Sequence, residues 1–264
     1  MQGEAPPRWI GERLLRDMLM ALRLFSRLPT GPMAHERPAL DRIAPVLPLA
    51  SVLITLGPAV VLVGGSLAGL PSYFAATLAV AAAVAVSGGM GEDSLADAAD
   101  GLFGGSSAER RLEIMKDSRH GTYGVAAIAL LLMLRVSAIG AVAAVDAVAA
   151  GMLWLAAGVA GRSASLWLAV VLPPARVEGL SSQAGQLGRG SFALGAALAG
   201  FLVIVLGWLV VGPLPVVVAL ALSVAIVAGW TALCRRLVGG QTGDLIGALG
   251  ALVEVGVLTG LLIG

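Results

Sequence analysis

The sequence predicts an all-α, multispanning integral membrane protein of about seven transmembrane helices, preceded by an N-terminal amphipathic helix. Three observations carry this. The 264 residues are 58% hydrophobic and only 12% charged, with mean hydropathy +0.93, whereas soluble domains carry about 25% charge. Too little polar surface remains to cover a soluble core. Apolar stretches of bilayer-crossing length recur along the whole chain, and Lys and Arg fall almost entirely in alternate connections.

The elements follow in order. Residues 1–43 hold Arg8, Arg13, Arg16, Arg23, Arg27, Arg37 and Arg42 with no uninterrupted apolar core, unlike a cleaved signal. Leu14, Leu15, Met18, Leu19, Leu22 and Phe25 recur at helical spacing among them. That pattern suits a helix lying at a bilayer surface or one packed on the rest of the protein. Spans are expected at 44–68, 72–90, 122–144, 147–171, 193–212, 214–233 and 245–263. Pro45, Pro48, Gly57 and Pro58 are tolerable in such helices. Gly69-Leu70-Pro71, Val145-Asp146 and Pro213 make tight joints, while 91–121, 172–192 and 234–244 are longer and polar. The chain reads as one membrane-embedded domain, 1–264, with 1–43 as its cytoplasmic or interfacial segment.

Charge orients the spans. The early arginines precede the first span. Arg110, Arg111, Lys116 and Arg119 lie in 91–121, Arg176 and Arg189 in the next polar segment, and Arg235 and Arg236 in the last. The tight joints carry no Lys or Arg. The positive-inside rule makes the basic side cytoplasmic, so the N-terminus is expected inside a cell inner membrane and the C-terminus outside. Arg135 and Arg162 fall within spans. Arg135 needs an acidic or carbonyl partner there, and Arg162 could reach toward a buried site.

Composition also excludes. A net charge of +1 gives no nucleic-acid-binding face, and Cys234 alone rules out an internal disulfide or a multi-cysteine zinc site. His35 reads as a surface residue; His120 reads as an acid or base near neutrality or as a hydrogen-bonding bystander.

The chemistry gathers on the basic side. Asp93, Asp97 and Asp100 follow i, i+4, i+7 spacing, which on a helix confines them to an arc of roughly 60°. Carboxylates that close repel, and a multivalent cation relieves them. Oxygen donors favour a hard ion such as Mg²⁺, able to neutralise a diphosphate. Lys116 and Arg119 would add fixed positive charge, and Gly239-Gly240-Gln241-Thr242-Gly243-Asp244 forms a second polar island before the last span, which carries Glu254.

Phe25-Ser26-Arg27-Leu28-Pro29, the spaced aspartates with Gly101, Glu113-Ile114-Met115-Lys116-Asp117-Ser118-Arg119 with Gly121, and the Gly239–Asp244 island occur in an order that resembles the cobalamin synthase family, adenosylcobinamide-GDP ribazoletransferase. Arg162, Arg176-x-Glu178-Gly179-Leu180 and Glu254 are weaker matches over a resemblance of nearly full length. The resemblance implies a membrane transferase joining adenosylcobinamide-GDP to α-ribazole or its 5′-phosphate, giving adenosylcobalamin or its phosphate and GMP, with Mg²⁺ as cofactor. It implies Asp93, Asp97 and Asp100 as metal ligands. Arg27, Lys116, Asp117, Ser118, Arg119, Arg162, Gln241 and Thr242 would contact substrate. Asp244, Glu254 and His120 would supply the base, or the first two a second metal contact.

Two positions depart from the family's usual pattern: Gly91 replaces a histidine, and Ser94 a common glycine. If that histidine is a base or ligand, Gly91 predicts impaired chemistry, with Glu92 or His120 as substitutes; if it only orients the helix, little changes. A CDP-alcohol phosphotransferase would need an Asp-Gly-x-x-Ala-Arg start that is missing, and a prenyltransferase two Asp-rich motifs. A transporter would favour mid-membrane acids and repeated halves.

Overall fold

The apolar stretches become helices that sort by how much small-residue surface they offer to neighbours. The computed structural model describes residues 9–31, 38–117, 119–176 and 187–263. The expectations on Arg8, His35, Arg37, Ser118 and Glu178-Gly179-Leu180 lie outside the described residues. Helix α1 (Ile10–Phe25) is the amphipathic one, and Ser26 ends it by donating to the Leu22 carbonyl at 2.6 Å. It buries Met20 and Ala21 and leaves Trp9, Leu14 and Leu15 exposed. A short α2 (Leu40–Ile43) leads into α3 (Leu47–Leu67). The long helices that follow are α4 (Ser72–Ser87), α7 (Thr122–Ala143), α8 (Ala147–Ser165) with its continuation α9 (Trp167–Val171), α10 (Arg189–Val211), α11 (Pro213–Leu237) and α12 (Gly243–Leu261).

Six of these are long and apolar enough to cross a membrane, and a seventh span exists if α4 is counted together with the helix after it. The protein is therefore a multi-pass membrane protein of helical class, as the sequence predicts. Helices α12 and α8 lie inside the bundle, with 67% and 61% of their apolar windows buried; α11, at 17%, faces outward. Small residues let α8 and α12 meet: a Cβ on Gly161 would stand 2.5 Å from the Gly250 carbonyl oxygen.

The second span differs from expectation. The span stops at Ser87 rather than 90, because Gly88 and Gly89 both take left-handed φ, +69° and +70°. The chain turns by 84° into α5 (Met90–Gly104), which carries the aspartates at their expected helical spacing, then α6 (Ala108–Ile114), within what the sequence marks as a longer polar segment. Two successive positive φ values suit glycine alone at no steric cost. Helix α5 packs against α7 and α12, so its polar residues are sorted between the bundle interior and its rim.

The basic segments share one end of the bundle. The Arg27 N–H donates to the Val86 carbonyl at 2.7 Å, Arg42 pairs with Asp17 at 2.6 Å, and the Gly188 N–H donates to Asp41 at 2.9 Å. Arg176 donates to the Leu112 carbonyl and Arg111 to that of Leu237.

Candidate active site

Helix α5 enters the bundle with Glu92 and Asp93 side by side and pointing into different surroundings. Asp93 and Asp97, one turn apart, face the residue just before α7. His120 sets Nε2 at 3.7 Å from Asp93 Oδ1 and Nδ1 at 3.6 Å from Asp97 Oδ1. One donor atom from each of the three lies within 4.8 Å of the others. Asp244, at the first turn of α12, is near enough for its charge to act on both aspartates. The cluster opens on a vestibule of ≈ 580 Å³ bordered by Arg27, Gly88, Gly89, Asp93 and His120. Arg27 is exposed and its side chain lies over Gly88, where a Cβ would come within 2.6 Å of Nε.

Two carboxylates flanking open space fit a hard divalent ion, which commonly takes one or two protein carboxylates and completes its shell with water and phosphate oxygen. Asp93 and Asp97 meet that requirement. Asp100 departs from the expectation of a third ligand: its two oxygens accept the Gly121 and Gly124 N–H groups at 2.6 and 2.9 Å, and the residue is buried. A carboxylate over the first turn of a helix satisfies orphan donors and complements the dipole. The same spacing that lines up three aspartates thus assigns the third to anchoring α7.

Glu254 departs as well. Its carboxylate accepts both Nε and Nη2 of Arg135 at 2.9 Å and the Trp154 indole N–H at 3.1 Å, so it is occupied within the bundle and stands apart from the vestibule cluster. Arg135 also holds Glu92, giving this intraspan arginine the acidic partners its position demands. It sits 13 residues into α7, roughly 20 Å along the helix. Arg162 approaches the same region and donates to Thr55 Oγ1 at 3.1 Å and the Gly158 carbonyl at 3.2 Å. Glu92 and Trp154 are the members that sequence reasoning missed as a network; the signal was Arg135, a mid-span charge needing more than one partner.

The remaining expected residues divide by exposure. Lys116 is exposed. Arg119 binds Asp117 through Nε and Nη2 at 3.1 and 2.8 Å, and these hydrogen bonds hold the Asp117 carboxyl down at about 2. Thr242 caps α12 by accepting the Leu245 N–H, at 3.2 Å. Gln241 is buried; its backbone pairs with Pro173 and Ala175, and its side-chain oxygen has no partner among the described residues. Arg27, Asp93, Asp97, His120 and Asp244 are therefore brought together. Asp100 and Glu254 have their carboxylates engaged elsewhere, Arg162 spends Nη1 on Thr55 and Gly158, Thr242 donates to Asp244 at 3.4 Å, and Lys116 and Arg119 lie on the adjoining surface.

Comparison with known proteins points one way. A family profile described as "Cobalamin-5-phosphate synthase" matches residues 17–262. The chain is similar to the adenosylcobinamide-GDP ribazoletransferase of Azorhizobium caulinodans, at 43% identity over 258 residues, covering 95% of this chain and 97% of the relative. The proteins of the same name from Xanthobacter autotrophicus and Mesorhizobium japonicum are 41% and 37% identical, covering 96% and 93% of this chain and 97% and 92% of theirs. No solved structure matches.

Proposed function

The chain belongs to the cobalamin-5-phosphate synthase family, and from that premise we propose that its vestibule is where adenosylcobinamide-GDP meets its acceptor. The protein is a transferase of cobalamin biosynthesis that joins adenosylcobinamide-GDP to α-ribazole. Neither a CDP-alcohol transfer nor a transport role gains support from its relatives. The acceptor is α-ribazole or its 5′-phosphate, the product adenosylcobalamin or its 5′-phosphate, and the released group GMP. With the basic segments inward, the site faces the cytoplasm from the inner membrane.

The observation that carries this reading is the convergence of Asp93, Asp97 and His120 beside Arg27 at an open cavity. Mg²⁺, when bound by Asp93 and Asp97, supplies charge neutralisation on the diphosphate. Arg27 and Lys116 donate to phosphate oxygens and orient the cobinamide-side phosphorus. The acceptor's ribose hydroxyl attacks that phosphorus, the bond from it to the GMP phosphate oxygen breaks, and GMP leaves. His120, whose ring nitrogens stand 3.7 and 3.6 Å from Asp93 and Asp97, is the side chain placed to take the hydroxyl proton. Asp244 adds negative charge beside the two aspartates and is itself held by Arg176 at 3.5 Å.

The test is GMP release from adenosylcobinamide-GDP and α-ribazole by the purified protein in lipid, with and without Mg²⁺. Turnover is expected only with Mg²⁺, and Asp93→Asn or Asp97→Asn should each lower it at least ~100-fold, the scale of losing a transition-state electrostatic partner. Full activity in both variants sinks the metal assignment. Absence of turnover with either acceptor sinks the reaction.

A further inference from the structure

Met90 and Glu92 border two spaces, the vestibule and a smaller chamber of ≈ 90 Å³ lying among the spans. The chamber holds about six water molecules' worth of volume, far too little for a corrin and enough for a flat two-ring heterocycle. Phe25, Ile54, Pro58 and Trp154 give it apolar walls. Among its polar lining residues, Thr55, Ser87, Arg135, Ser165 and Glu254 are engaged with other protein groups, and Glu92 and Arg162 keep atoms to spare. Glu92 is 8% exposed; Arg135 takes Oε1, and Oε2 has no hydrogen-bond partner among the described residues. Arg162 uses Nη1 on Thr55 and Gly158, leaving Nε and Nη2 without hydrogen-bond acceptors among the described residues.

A buried acceptor left unmet, as Glu92 Oε2 is, is costly unless a ligand satisfies it, and the half-buried Arg162 offers donors across the same space. The occupant must therefore be flat and largely apolar, with N–H donors for Glu92 and acceptors for Arg162. Given the reaction proposed above, on which this step rests, two nucleobases are available. Guanine offers N1–H and a 2-amino group as donors, and O6 and N7 as acceptors. The glycosylated benzimidazole of α-ribazole offers a ring nitrogen acceptor and no N–H. We propose that the chamber is the guanine subsite for adenosylcobinamide-GDP. The GMP end of the donor then lies inside the bundle, the cobinamide-side phosphorus lies at Asp93, Asp97 and His120, and the corrin stays outside. The acceptor hydroxyl approaches from the open side, opposite the departing GMP.

Equilibrium binding of GMP, IMP, AMP and α-ribazole to the full-length protein in lipid nanodiscs tests this. GMP should bind more tightly than IMP, and IMP more tightly than AMP. Glu92→Gln and Arg162→Gln should each weaken GMP about 10- to 100-fold while leaving α-ribazole unchanged. Because Glu92 also pairs with Arg135, Gly91→Leu serves as an independent variant. A Cβ at Gly91 meets nothing within 4 Å, and the residue lines the chamber, so leucine fills the space without displacing a neighbour. It should abolish GMP selectivity over AMP. Equal affinity for GMP and AMP in the unaltered protein overturns the proposal, as does a Gly91→Leu variant that loses α-ribazole and keeps GMP. Product formation without base selectivity rejects the chamber alone, whereas guanine-selective binding without product formation upholds the chamber and rejects the reaction.

Discussion

Asp93 and Glu92 are consecutive on α5, yet one enters an open, under-neutralised cluster and the other a closed, balanced one. In the interior, Glu92 and Glu254 face Arg135, with Arg162 beside them, so acids and bases match in number and most of their atoms are hydrogen-bonded. At the vestibule, Asp93 and Asp97 have the His120 imidazole and the exposed Arg27 nearby, and Asp244 pairs with Arg176 at 3.5 Å, so three carboxylates face two guanidinium groups. Ion pairs completed within the protein hold helices at fixed separations. Carboxylates left without a full complement beside open space are available to a cation and its phosphate cargo. The difference separates the Arg135–Glu254 pair, which holds helices together, from groups with capacity left for a ligand: Glu92 Oε2 and Arg162 in the interior, and the aspartates at the vestibule.

That contrast can be broken most forcefully from the inside. Arg135→Ala strands two buried carboxylates and should cost about 3–5 kcal/mol, read as a large drop in thermal midpoint in detergent; the double variant Arg135→Leu with Glu254→Gln should recover part of it. An unchanged midpoint for Arg135→Ala would mean that the interior pairs do not hold the bundle. Asp100→Asn comes next. It keeps one acceptor for α7 and loses the charge, so a loss of about 1–2 kcal/mol is expected, with turnover within ~10-fold of the unaltered protein. A collapse of activity with stability preserved would return Asp100 to the vestibule's chemistry. Gly91→His comes last: it should weaken GMP binding, as Gly91→Leu does, and leave the acid–base step untouched. Its imidazole would enter the inner chamber, so the pH–rate profile should keep its shape, whereas His120→Gln should flatten it. A tenfold rise in turnover on restoring histidine would show a vacant catalytic position.

Spans were legible in the sequence because a run of apolar residues needs no distant partner to be recognised. Their ends were less so: hydropathy extends the second span to 90, while the chain stops at Ser87 because Gly88 and Gly89 adopt a backbone that no hydropathy window registers. The helical spacing of the α5 aspartates was legible, but the bounds of α5 and its seat against α7 and α12 were not, because those depend on distant residues. At the candidate site, spacing alone brought out Asp93 and Asp97. It could not tell that Asp100 would meet the start of α7, because helical periodicity says which face a residue is on and not what stands opposite. Arg135 announced a missing partner, but only the tertiary fold shows that Glu92 shares it with Glu254.

The Glu92–Arg135–Glu254 contacts also impose an order in time. Glu92 has no counter-charge until a further 43 residues have been made, and Arg135 then waits 119 more for Glu254. During synthesis α5 must remain outside its final seat, holding its acids in water or at the headgroups, while four later spans are threaded. The last helix closes the structure: α12 delivers Glu254 and, near its start, Asp244. Truncation anywhere before it leaves a membrane-inserted chain whose chemistry has not yet been assembled.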